Sequence, residues 1–169
     1  MEKKYEFTRE TMRHEGRTLH RIRALKDFGN VKAGDVGGWV ETEANLSHDC
    51  NAWVSGNGRV YDNAWVYDNA CVSGNGEIYG NAWVSGNGRV YGAEDYITCG
   101  PIGSRGDITT IFRDSVKKVC VNCGCFSGTL DEFEKAVKTA HGDTNHGKEY
   151  VALIALARIR FYHMLNEAT

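Results

Sequence analysis

Asn51 to Gly92 reads NAWVSG, NGRVYD, NAWVYD, NACVSG, NGEIYG, NAWVSG, NGRVYG, one six-residue phrase seven times over. An aliphatic residue falls at every sixth position, in Val54, Val60, Val66, Val72, Ile78, Val84 and Val90. A small residue precedes each by two, in Ala52, Gly58, Ala64, Ala70, Gly76, Ala82 and Gly88. This period is the signature of a hexapeptide β-helix, in which each hexad makes one short strand and one corner and about 18 residues complete a triangular turn. Asn opens every hexad and is preceded by Gly or Asp in six of the seven, a composition suited to a corner that visits left-handed φ/ψ at low cost.

The same advance of about 18 residues orders the exterior. Trp65 should lie under Trp83, Tyr61 under Tyr79 and Arg59 under Glu77, with Asp95 above if the coil persists. The slots on either side of Trp53, Trp65 and Trp83 already fill the core, so these three indoles are expected to point outward and to form an oligomer interface. The competing reading is that they pack beneath loops or terminal segments of their own chain.

Upstream, Lys4–Thr8 and Arg17–Leu25 read as the strands of a hairpin, with the polar stretch Met12–Gly16 between them. Val40 and Leu46 are in hexad phase, but Leu46 and Val54 are not. Two extra residues within Ser47–Cys50 should therefore bulge one corner. Downstream, Gly100–Gly106 is a turn-rich loop. Asp107–Phe112 and Lys118–Phe126 read as strands, Thr129 with Glu132 as a capping box opening a helix that stops at His141-Gly142, and Lys148–Asn166 as a second helix. The second helix presents Val151, Ile154, Ala155, Ile159 and Tyr162 as its apolar stripe, with Leu156 and Phe161 beside it. The expected organisation is an N-terminal β-hairpin over 1–35, hexapeptide repeats over 36–98 and an α+β cap over 99–169.

A net charge of −2 over 169 residues gives no global attraction to nucleic acid or anionic membranes, so neither is an expected partner. No apolar run approaches the ~20 residues that span a bilayer, and the N-terminal segment MEKKYEFTRE lacks the apolar stretch of a signal peptide. A cytoplasmic protein is expected, in which six cysteines do not imply a disulfide scaffold.

Four groups of residues could carry chemistry. Gly100, Gly103, Ser104 and Arg105, with Thr109 and Thr110 on the adjoining strand, form the main candidate. Successive turns aim backbone N–H groups into one concavity, and Arg105 offers a planar fork for phosphate or carboxylate. Neither the lysine nor the glycine spacing of a Walker or Rossmann loop is present. Cys99, Cys120, Cys123 and Cys125 are an alternative zinc set that lacks a second Cys-x-x-Cys or His pair at the usual distance. Cys125 with His141 could be a nucleophile and its base, although no acidic orienter is identifiable. An acyltransferase would need a histidine on the coil, and only His48, in the corner bulge, is near. No catalytic residue and no cofactor is therefore assigned.

The phrases GDVGGWV (34–40), GPIGSR (100–105), GCFSGTLDEF (124–133) and HGDTNHGKEY (141–150), together with the hexads, resemble a group of hexapeptide-repeat, "polymer-forming"-like proteins encoded by phages and prophages. The resemblance runs from about residue 17 to about residue 165 and implies a left-handed β-helix, frequent trimerisation and a mobile-element origin. It supplies no catalytic residues. The expected function is a non-enzymatic binding protein in the cytoplasm of a bacterial host. It would sequester a phosphate-bearing small molecule, such as a nucleotide immune signal, or dock on a host defence protein. A hexapeptide-type acyltransferase and a virion or assembly component are the alternatives.

Overall fold

The computed structural model describes residues 2–166. The chain forms two compact units, Met1–Ala93 and Glu94–Thr169.

In the first unit, β1 (Tyr5–His14) and β2 (Arg17–Ala24) form an antiparallel hairpin. It runs longer than expected because Met12 pairs with Leu19 and His14 with Arg17, which absorbs most of the stretch read as a connection. The connection shrinks to Glu15-Gly16, both at positive φ (48° and 77°), the backbone that a two-residue hairpin turn demands. Next comes β3 (Val36–Val40), followed by seven two-residue strands, one per hexad. These are β4 (Trp53–Val54), β5 (Arg59–Val60), β6 (Trp65–Val66), β7 (Cys71–Val72), β8 (Glu77–Ile78), β9 (Trp83–Val84) and β10 (Arg89–Val90).

The hexads pair in parallel with their counterparts three hexads on: Trp53 with Cys71 and Cys71 with Arg89, Arg59 with Glu77, Trp65 with Trp83. Leu46 instead bridges Val66, and Val40 pairs with Val60, so the two extra residues lie at the bulge, where Cys50 takes φ 50°. All seven aliphatic positions are fully buried. Left-handed φ falls on the residue before each corner Asn, at Cys50, Gly56, Asp62, Asp68, Gly74, Gly80 and Gly86, and not on the Asn itself. The Asn side chains join successive corners instead: Asn51 Nδ2 donates to Asn69 Oδ1 at 2.9 Å and Asn63 Nδ2 to Asn81 Oδ1 at 3.2 Å.

The left-handed parallel β-helix expected for the molecule is corrected by the sheet topology. Among the described residues the strands fall into four separate sheets, and no regular solenoid runs through them. One sheet is mixed, in the order β1-β2-β3-β5-β8, two are small and parallel, in the orders β10-β7-β4 and β6-β9, and the fourth, in the second unit, is antiparallel. The physical reason is strand length: each hexad extends for only two residues, so its ladder is short. The long pairings belong to the antiparallel segments outside the repeats.

In the second unit, β11 (Tyr96–Ile102), β12 (Asp107–Asp114), β13 (Lys118–Cys123) and β14 (Phe126–Thr129) form an antiparallel sheet in chain order. Three sequence expectations change here. Tyr96–Thr98 falls in the expected repeat zone but is edge strand, and Asp95, expected above Glu77, lies 3.5 Å from Arg113. The expected strand Lys118–Phe126 is split by a tight turn at Gly124-Cys125, where Gly124 has φ 55°.

Helix α1 (Leu130–His141) opens with the Thr129/Glu132 capping box and ends at Gly142, where both were read from the sequence. Helix α2 (Asn145–Arg160) and the short α3 (Tyr162–Asn166) divide the second expected helix at Phe161. Its phase is also corrected. Tyr150, Leu153, Ile154, Ala157 and Phe161 face the core of Ile111, Val119, Val121, Leu130, Phe133 and Val137, whereas Val151, Ile159 and Tyr162 are exposed.

Candidate functional site

The β11–β12 hairpin closes through Gly103–Gly106, with Gly103 and Gly106 at φ 72° and 64° and the Gly106 N–H donating to the Gly103 carbonyl at 3.3 Å. Only glycine serves at Gly103, since a Cβ there would run into the Tyr150 phenol from α2. The Gly103 N–H donates to Glu149 Oε2 at 2.9 Å, and this bond, with His146 beside it, holds the Glu149 carboxyl below its usual range. One of the loop's N–H groups is thus already used by the chain itself.

Arg105 is 63% exposed and is steered from two sides. Its Nε lies 3.2 Å from Asp107 Oδ2 and its Nη2 donates to Cys125 Sγ at 3.5 Å. The contact exists because the β13–β14 turn comes against the β11–β12 tip: a Cβ on Gly124 would collide with both Asp107 and Arg105. The Arg105 guanidinium draws the Cys125 thiol below its ordinary pKa, and Cys125 in return raises that of Arg105. Nη1 makes no hydrogen bond or ion pair among the described residues, and Ser104 beside it is exposed.

The remaining residues of the expected site are elsewhere engaged. Gly100 belongs to β11. Thr109 and Thr110 are buried in β12, and Thr109 Oγ1 donates to Cys123 Sγ at 3.1 Å, so neither threonine faces a ligand at the tip. Asp107, Glu149 and Tyr150 were missed. Glu149 and Tyr150 stand in the phrase HGDTNHGKEY, but no sequence period signals their approach to Gly103.

The four cysteines of the zinc alternative do not converge. Cys120 and Cys123 are three apart on one strand and so face opposite sides. Cys99 and Cys123 share a register with Thr109 but are separated by its strand, roughly 10 Å at two strand spacings, too far to share one tetrahedral metal. Burial and the neighbouring Asp114 push the Cys120 thiol up to about 12. No group of three or more His, Cys, Asp or Glu side chains suited to a metal ion occurs among the described residues.

The nucleophile pairing with His141 does not form either: Cys125 bonds Arg105, while the His141 ring lies 5.5 Å from that of Tyr150. His48 stacks on Tyr5 at 4.2 Å and its Nδ1 accepts the Lys4 N–H at 3.1 Å, so it braces the N-terminal strand.

Trp53, expected outward, is only 6% exposed and lies against Phe28 at 5.4 Å, edge to face. Val31 and Phe28 bridge to form the loop responsible. Trp65 and Trp83 do face out, at 37% and 42%, in edge-to-face contact at 5.9 Å, with Tyr67 stacked on Trp65.

No helix among the described residues is long and apolar enough to cross a membrane. No protein-family model matches the chain, and no curated protein matches its sequence.

Proposed function

We propose that the protein is a non-enzymatic binding protein that holds a phosphate-bearing small molecule at the hairpin tip of Ser104 and Arg105. The observation that carries this reading is the exposed guanidinium pinned by Asp107 and Cys125, which leaves Nη1 without a partner among the described residues, next to the exposed Ser104. A fork held by two internal contacts loses little freedom when it takes an anion, and Arg geometry suits phosphate.

With the resemblance to phage and prophage proteins, the reading extends to a nucleotide signal of bacterial immunity, sequestered in the host cytoplasm. A host defence protein is the second reading, favoured by the exposed Trp65–Trp83 pair. The same pair supports closed self-association, threefold by the resemblance.

Mass spectrometry of small molecules released on denaturing the protein, purified from cells with active nucleotide signalling, tests the reading. A released nucleotide whose yield falls roughly 10- to 150-fold in Arg105→Ala, with unchanged thermal melting, is the expected result. No nucleotide, or equal yield from both proteins, overturns it. Light scattering reads the oligomer separately, and a monomer mass at micromolar concentration rejects self-association.

A further inference from the structure

The first unit carries a second polar feature with no role in the reading above. Two adjoining open depressions of about 560 Å³ and 460 Å³ share Arg17 and Asp62 as lining residues. Each is in the size range of small-molecule sites. Arg17, at the start of β2, reaches Glu41 Oε1 at 3.3 Å and pairs with Asp62, while Glu41 Oε2 accepts the Asp62 N–H at 2.8 Å. Farther along, His14 pairs with Glu77, and Tyr61 stacks on Tyr79 at 5.5 Å with the rings 9° from parallel. Tyr61 is buried, whereas Tyr79, which also lines the groove, is 50% exposed.

The chemistry discriminates among ligand classes. Glu41, Asp62 and Glu77 repel a phosphate, and a cation would have to displace the contacts these carboxylates already make, Arg17 on Glu41 and Asp62 and His14 and Arg59 on Glu77. An apolar ligand would strip water from ion pairs and amides without replacing their hydrogen bonds. A neutral polyhydroxyl ligand meets neither obstacle. Its hydroxyl groups both donate and accept, which matches carboxylate, guanidinium and the exposed Asn63 amide, and its C–H face packs on an aromatic ring. The partners come from four places in the chain, at the β1–β2 turn, after β3, after β5 and on β8, and are cross-linked by the ion pairs, so the donors and acceptors are preset. We propose that the groove from Arg17 and Asp62 to Tyr79 binds a neutral saccharide, its ring stacked on Tyr79 and its hydroxyls bonded by Glu41, Asp62 and Arg17.

Titration of the full chain with maltopentaose, cellopentaose, N-acetylchitopentaose and inorganic phosphate, read by calorimetry and saturation-transfer NMR, tests this site. At least one saccharide should bind, about five- to tenfold more weakly in Tyr79→Ala because the stacking face is lost. Tyr79→Phe should retain the affinity, and Arg105→Ala should leave it unchanged, which separates this groove from the anion site. Tyr79 is half exposed, so its truncation leaves the fold intact, as melting curves would register. The proposal is overturned if none of the three saccharides binds at about 10 mM. It is equally overturned if binding is indifferent to Tyr79→Ala, or if phosphate is the ligand that Tyr79→Ala releases.

Discussion

The Lys4 ammonium, 1% exposed, donates to the Ala52 carbonyl at 2.8 Å and ties the N-terminal strand to the far side of the two-residue bulge. It also donates to the carbonyls of Asp49 at 3.1 Å and Cys50 at 3.4 Å, so one side chain satisfies the acceptors that the extra residues leave out of the ladder. Lys4→Met preserves most of the volume but orphans those carbonyls, and should lower stability by about 1–3 kcal/mol in denaturant unfolding. Burial lowers the Lys4 pKa from 10.5 to about 8, so the unfolded chain holds this proton more tightly than the folded one. The stability due to this group is therefore lost as pH falls through about 8 and complete only above 10.5. Wild type should gain stability across that window relative to Lys4→Met. A pH-independent difference between the two would reject the assignment.

Val72 sits fully buried between Val54 and Val90, its partners on either side. Val72→Asp buries an unpaired carboxylate and should cost several kcal/mol, enough to abolish soluble expression. Ser73→Asp, one residue on and half-buried, should remain soluble with a melting temperature near that of wild type. Indistinguishable behaviour would show that the hexads bury different positions.

Gly103 makes a local test of the tip. Gly103→Ala forces a Cβ into the Tyr150 phenol at positive φ and should cost about 2–4 kcal/mol of stability in the second unit. Gly16→Ala, also at positive φ but with open space around it, should cost only about 1–2 kcal/mol. Equal losses in thermal melting would mean that the Gly103–Tyr150 approach is slack.

Cys125 should be the thiol that iodoacetamide alkylates fastest at pH 7, because Arg105 stabilises its thiolate. Removing that charge in Arg105→Ala should slow the reaction, because less of the thiol is then ionised at pH 7. Exposed Cys50, remote in sequence from Arg105, is the internal reference. Peptide mass spectrometry at timed quench points reads both rates, and an unchanged Cys125 rate rejects the pairing.

Much of the secondary structure was legible because its causes are local. The buried column from Val54 to Val90, the Thr129 box, the Gly142 stop and the bulge before Asn51 each follow from residues a few positions apart. The candidate site was legible in part: Arg105 and Ser104 stand exposed, while Thr109 and Thr110 are buried in a strand whose alternation is masked by a run of β-branched residues. The class assigned from the hexads did not hold, because a repeat constrains the residues it contains and not the antiparallel segments that share or follow their sheets.

What the sequence determined by itself is therefore the inside and outside of the hexads, the corner chemistry and the helix ends, since period and backbone preference act over six residues or fewer. The tertiary structure alone decided that Trp53 is covered by Phe28 while Trp65 and Trp83 are not, although all three occupy the same slot of the repeat. It also decided which face of α2 is buried, and that Arg105 meets Cys125. Burial of an individual side chain is set by what lies against it, and those neighbours are about twenty residues away or more along the chain, where composition and spacing carry no information about distance in space.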